Sequence, residues 1–462
     1  MRETSRAVRR LLGELQLRGA PINRHSGLCA VALATLIACL LVFGYGGGKA
    51  GTPATQGNPV PRTYVVWRDP GGGASPSVLP FKVPAKPAKG SSVVDPVYDT
   101  PITRVTDRSA DKISDPGILN EYARIDPENA TGTRALLRAS EGNWYLYSVP
   151  GYKRLAQIDF RGNPDSEPRW DVANPDTVYF VEGPTLWQRN VATGTDKAVH
   201  SFTAQEPKCA FARARYEGEP SRDCRYWAFR LEDESYKVLS VVTYDKQTDQ
   251  ILGRLTTFVG DFDWVGMDTS GSHCVIAYDY PNRGVAFNRG LSRSVKLPAG
   301  IGHSDFGVDS AGRDVLVYQN ASTDYIAMAD LDTGTETNLI AIPFAQNPDI
   351  GLHFACAIDK PGWVMVSTYG QNATALSWMD RLLFMVELKA RPLVWRIAQT
   401  QELRAADDDY FGEAFAAINR RATRIWWGAN WNAKGSGAHT LETYVADLPT
   451  DWDSQVRSQA AP

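Results

Sequence analysis

The chain has 462 residues, of which 10% are aromatic and 22% charged, and its formal net charge is −3; this is globular composition, with apolar material for a large core or a ring of repeats. A near-neutral balance without a basic patch gives a polyanion no electrostatic foothold, so no nucleic-acid partner is expected. The 39 glycines and 28 prolines favour short strands and turns over long helices.

Residues 1–26 hold Arg2, Arg6, Arg9, Arg10, Arg18 and Arg24 against few acids, and the run "GLCAVALATLIACLLVFGYG" from Gly27 to Gly46 is uncharged. Its length suits a transmembrane helix. The positive-inside rule then puts 1–26 in the cytoplasm and the rest of the chain outside, periplasmic or extracellular. A signal anchor at 27–46 is predicted, with a cleaved signal peptide as the alternative. Residues 47–97, with "GGGKAGTPATQGNPVPR" and "VPAKPAKGSS", are rich in Gly, Pro and Ser and read as a disordered linker. Cys209 and Cys224 flank one polar loop, a spacing that admits a disulfide without proving one.

From about residue 98 to 450 a unit recurs every forty to fifty residues, the period of propeller blades. Its first-strand segments are "NEYARIDPENATGTRALL", "DSEPRWDVANPDTVYF", "EGEPSRDCRYWAF", "FDWVGMDTSGSHCVIAY", "HSDFGVDSAGRDVLVY", "HFACAIDKPGWVMVS" and "EAFAAINRRATRIWW". Each carries a turn residue, in order Asp126, Asp171, Asp223, Asp268, Asp309, Asp359 and Asn419, whose side chain suits capping the turn that follows. An all-β, seven-bladed β-propeller is predicted, closed by "TPITRVTD" (100–107) pairing beside "LETYVADL" in the last blade. Residues 451–462 remain as a C-terminal tail.

Counting back from the turn residue orders the inner strands. Two residues back the chain is small at Ser221, Gly266, Gly307, Ala357 and Ala417, as converging strands require; Arg124 and Arg169 are the exceptions. Six residues back, where each strand enters, stand Asn120, Asp165, Glu217, Phe262, His303, His353 and Glu413. Four back are Tyr122, Glu167, Glu219, Trp264 and Asp305. These entry positions converge on one mouth of the central channel, which puts His303, His353 and Glu413 on three consecutive blades. With Asp305 they form a candidate ligand set for a divalent metal. Equally, the histidines supply a general base, with Arg124 and Arg169 pairing a substrate carboxylate. Tyr122, Glu167 and Trp264 are candidate substrate contacts, the rings by stacking. His273, in "GSHCVIAY", reads as an ordinary strand residue following a turn.

The segments "EPRWDVANPDTVYFVEG", "GEPSRDCRYWAF", "GHSDFGVDSAGRDVLVY", "HFACAIDKPGW" and "EAFAAINRRATRIWWGANWN" together resemble the seven-bladed propellers related to oligogalacturonide lyase, over roughly 100–448. The resemblance implies cleavage of uronate-containing oligo- or polysaccharide by β-elimination, with a divalent metal, manganese or calcium, at the channel mouth. Carried over, it makes His303 and His353 the metal ligands. The chain departs from the family's Gln-x-x-His-x-His cluster: Gln346 stands seven residues before His353, and Ala355 occupies the place of the second histidine. The expectation is therefore a membrane-anchored, exported propeller acting on uronate-type carbohydrate. The alternative is a non-catalytic propeller of the cell envelope that binds glycan or an envelope protein.

Overall fold

The computed structural model describes residues 60–460 apart from 62, 72–73, 279–282, 299–300, 406–408 and 434–440. The anchor expected at 27–46 lies outside the described residues, and among the described residues no helix is long and apolar enough to cross a membrane.

Seven antiparallel sheets follow one another along the chain. Their innermost strands are Ile118–Leu119, Arg169–Trp170, Phe211–Arg213, Phe262–Met267, Ile301–Val308, Gly351–Ala355 and Ala417–Ile418, in blades 1 to 7. The seven-bladed propeller is thus the architecture. Asp and Asn turn residues do what their side chains allow. Asp309 Oδ1 accepts from the amides of Ala311 (2.8 Å) and Arg313 (2.9 Å), and Asn419 Oδ1 from Thr423 (2.8 Å) and Arg424 (3.1 Å). Asp126, Asp171, Asp223 and Asp268 make corresponding bonds. Asp359 instead reaches across to Arg420 at 2.7 Å.

In blade 3 the paired inner strand, Phe211–Arg213, lies upstream of the segment expected from the sequence. Arg215 and Tyr216 both take positive φ, 64° and 66°, and turn the chain away from the ladder. The stretch beyond them leans on blade 4, where Met267 N donates to Glu219 O at 3.0 Å. Crowding near the axis explains the small residues: a Cβ on Gly307 would lie 2.9 Å from Cys356 Sγ of the next blade.

The ring closes as expected. Pro101–Arg104 pairs antiparallel with Glu442–Asp447, the third strand of blade 7. Upstream of it the structure corrects the linker reading. Val65–Arg68 adds a fifth strand outside Leu393–Gln399 in blade 6, and Ser92–Val94 adds one outside Pro101–Arg104 in blade 7. Between them the prolines withhold donors but offer carbonyls: Pro80 O and Pro84 O accept from Gln399 Nε2 (3.0 Å) and Trp431 Nε1 (2.9 Å). Asp95, fully buried, accepts from the amides of Val97, Tyr98 and Gln399 and fixes the turn between the blades. The part of the linker at 47–59 lies outside the described residues.

The C-terminal tail is also structured. Its helix, Trp452–Gln459, docks Trp452 against Trp363 (5.1 Å between centroids) and Trp395 (5.3 Å), with Nε1 donating to Ala422 O at 2.9 Å. Cys209 and Cys224 are both buried free thiols, so the polar loop carries no disulfide. Burial pushes their pKa up to about 11 and about 12.

Candidate active site at the channel mouth

The inner strand of blade 5 is irregular between Ile301 and Ser304, a bulge that contains His303 and re-aims its side chain. His353, on the regular inner strand of blade 6, lies opposite Ser367. Glu413 follows the one-turn 3₁₀ helix Tyr410–Gly412 that leads into blade 7. Gly351 matters locally, because a Cβ there would fall 2.0 Å from the Tyr369 ring; its absence lets that ring stack on His353, 5.2 Å between centroids.

These three residues form one hydrogen-bonded line. His303 Nδ1 is 2.7 Å from His353 Nδ1, and His353 Nε2 is 3.1 Å from Glu413 Oε2. The other Glu413 oxygen, Oε1, pairs with Arg404 Nη2 at 3.0 Å. Tyr122 closes the group from blade 1: its hydroxyl is 3.4 Å from His303 Nδ1, and its ring meets His353 edge-on. His353 is 1% exposed and His303 is half-buried, so His303 is the member turned towards solvent. With neutral rings, a Glu413 carboxylate accepting Nε2–H leaves His353 Nδ1 as an acceptor for His303 Nδ1–H. The basic lone pair then falls on His303 Nε2.

Deeper in the channel lies a layer of acids around Arg124. Its Nε is 3.5 Å from Asp305 Oδ1, its Nη1 3.5 Å from Glu217 Oε2, and its guanidinium sits 4.2 Å over the Trp264 ring. Asp305 also accepts from the amides of Phe306 (2.7 Å) and Cys356 (2.6 Å). Burial raises the pKa of Asp305, against the pull of Arg124. Burial, and then the Asp305 charge, raise the pKa of Glu219 well above the carboxylate range.

Arg169 is engaged in the same inward fashion. It donates to Glu121 Oε2 (2.8 Å), Tyr216 O (2.8 Å) and Gly218 O (3.0 Å), and burial pushes Glu121 up to about 7 despite that cation. Glu167 accepts from the amides of Ala214 (2.8 Å) and Tyr216 (2.9 Å) and so shapes the turn into blade 3.

The structure therefore brings together His303, His353, Glu413 and Tyr122. It sets Asp305, Arg124 and Trp264 in a separate buried layer, and Arg169 and Glu167 in a third group between blades 2 and 3. The four expected metal ligands are not drawn into one group: Asp305 lies with Arg124 and two amides in the buried layer, while His303, His353 and Glu413 form the line above. Arg404 is the mouth residue that counting from the turns misses, because it lies in the loop joining blades 6 and 7. Its only sequence signal is a cation nine residues before Glu413.

No protein-family model and no curated protein sequence matches the chain. Among solved structures, the oligogalacturonate lyase of Vibrio parahaemolyticus is similar, with a TM-score of 0.55 and 13% identity over 78% of this chain and 96% of that one. Further solved structures are more distant: U3-55K, with a TM-score of 0.46 and 11% identity over 75% of this chain and 98% of that one, and the WD40 repeats of RRP9, 0.46 and 9% over 75% and 97%. The likeness to the lyase establishes the fold.

Proposed function

We propose that the protein acts on uronate-containing carbohydrate at the channel mouth, removing the proton next to the uronate carboxylate with His303 as base. The observation that carries this reading is the line His303–His353–Glu413–Arg404, which crosses consecutive blades at hydrogen-bond distances. Glu413 orients His353 and, through it, supports the positive charge that develops on His303, a relay that extends the part a carboxylate plays in a catalytic triad. His353 in turn fixes the tautomer of His303. The C5 proton passes to His303, its electron pair forms the C4–C5 double bond, and the glycosidic C4–O bond breaks. The leaving oxygen takes a proton from water. Arg404, which pairs with Glu413 Oε1 at 3.0 Å, is the cation beside this line and is the residue we assign to meet the substrate carboxylate. The structural likeness to a lyase of uronate oligomers supports the substrate class, and the uncharged run at 27–46 makes export part of the same proposal.

The test is release of unsaturated uronate, followed by ultraviolet absorbance, from a panel of uronate polymers and oligomers. Wild type should show turnover, and His353→Gln should lower it about 10²–10⁴-fold with the fold retained. Equal rates for wild type and His353→Gln would remove the relay. Glycan binding without turnover would favour the non-catalytic envelope reading instead, which the internal pairing of Arg124 and Arg169 supports.

A further inference from the structure

A second cluster lies on the face opposite the mouth. Asp268 ends the inner strand of blade 4, His273 opens its second strand, His273–Tyr278, and Asp314 opens the second strand of blade 5, Asp314–Asn320. One ligand atom from each lies within 4.8 Å of the others. Asp268 is 1% exposed and His273 9%. His273 Nδ1 is 2.9 Å from Asp268 Oδ2, while Nε2 is 3.0 Å from Asp332 Oδ1, in the outer turn of blade 5.

We propose that Asp268, His273 and Asp314 form a binding site for a divalent metal ion, zinc in the first instance, that clamps blade 4 to blade 5. One imidazole and two carboxylates are a donor set that zinc accepts. The surroundings orient the donors. Asp268 is held by the amide of His273 (2.9 Å) and the hydroxyl of Ser270 (2.9 Å), so its carboxylate is fixed before any ion arrives. Asp332 takes the far ring nitrogen of His273, the carboxylate–histidine contact that fixes tautomer and ring direction at metal centres. Asp268 and Asp314 come from adjacent blades with their ligand atoms close together, and a dication between the two carboxyls offsets their mutual repulsion. The Asp332 side chain is 83% exposed, which opens the site to solvent on that side.

The full chain, stripped with a chelator and dialysed, is titrated with zinc chloride, with bound metal measured by mass spectrometry and stability by thermal unfolding. Wild type should take up about one equivalent and its midpoint should rise. Asp314→Asn should lose the zinc, Asp332→Asn should bind it about 10–100-fold more weakly, and His353→Ala at the mouth should keep it. Folded wild type that takes up no zinc would overturn the proposal, as would Asp314→Asn that binds like wild type or His353→Ala that loses the metal. Should Asp314→Asn not fold, Asp332→Asn decides, and unchanged affinity there overturns the site.

Discussion

Replacing Glu128 by glutamine should open the seam between the first and last blades. The Glu128 side chain is 2% exposed and accepts four hydrogen bonds from blade 7: Arg424 Nε (2.6 Å) and Nη2 (2.7 Å), Trp426 Nε1 (2.7 Å) and Asn419 Nδ2 (3.2 Å). Burial works against the Arg424 charge, yet bonding and attraction to Glu128 outweigh it and raise the arginine's pKa. An amide in place of the carboxylate leaves that guanidinium without its bidentate partner, and breaking one side of a buried pair costs about 3–5 kcal/mol. With roughly 2.1 cal/mol/K per residue over about 400 ordered residues, the unfolding entropy is ~0.8 kcal/mol/K, so the midpoint falls by about 4–6 °C. Differential scanning calorimetry on Glu128→Gln beside Asp359→Asn makes the comparison. Asp359 pairs with Arg420 in a more open setting, and its loss should cost under about 1 kcal/mol. A Glu128→Gln midpoint equal to that of Asp359→Asn would refute the seam argument.

Asp245 gives a pH prediction. Arg225 grips it with two bonds, 2.9 and 2.7 Å, and holds its pKa down to about 2. A depressed carboxylate stabilises above its unfolded value and loses that stabilisation as pH falls through the folded one. Asp245→Asn should therefore cost about 1–2 kcal/mol at pH 7, after allowing for the partly exposed arginine, and the gap to wild type should close between about pH 4 and 2 in denaturant titrations. A gap independent of pH would refute it. Trp452→Ala removes the anchor of the C-terminal helix and should cost about 3–5 kcal/mol, with proteolysis beyond residue 450 appearing first. A helix that stays protected would show that the ion pairs Lys360–Asp453 and Arg457–Glu387 hold it without the indole.

The parts of the molecule written in period were readable in advance. The turn residues recur in phase with the second strands they introduce, so counting back from them placed His303 and His353 on neighbouring blades, and the 100–107 segment was legible because it is strand-like yet lies outside the seven units. What was not legible depends on partners distant in sequence. The Gly- and Pro-rich composition of 60–97 suits a free chain, and nothing local states that the outer edges of blades 6 and 7 stand open to receive it. Arg124 and Arg169 stood out by size among small residues, but Glu217 and Glu121, which pair with them, meet them only once separate blades have packed together. The cluster around His273 was hidden for the same reason, since Asp314 and Asp332 come from the next blade.

The closure by Pro101–Arg104 has a consequence for synthesis. Thr106, just after that strand, donates to Glu442, 336 residues further on, at 2.6 Å. A ribosome therefore releases Thr106 well ahead of its partner Glu442, with every intervening blade made in between. Val65–Arg68 waits for Leu393–Gln399 of blade 6, and Pro101–Arg104, beside Ser92–Val94, waits for Glu442–Asp447 of blade 7, with an open edge exposed to misassociation meanwhile. Closure waits on blade 7, and a chain truncated before it leaves Pro101–Arg104 without its inner neighbour Glu442–Asp447.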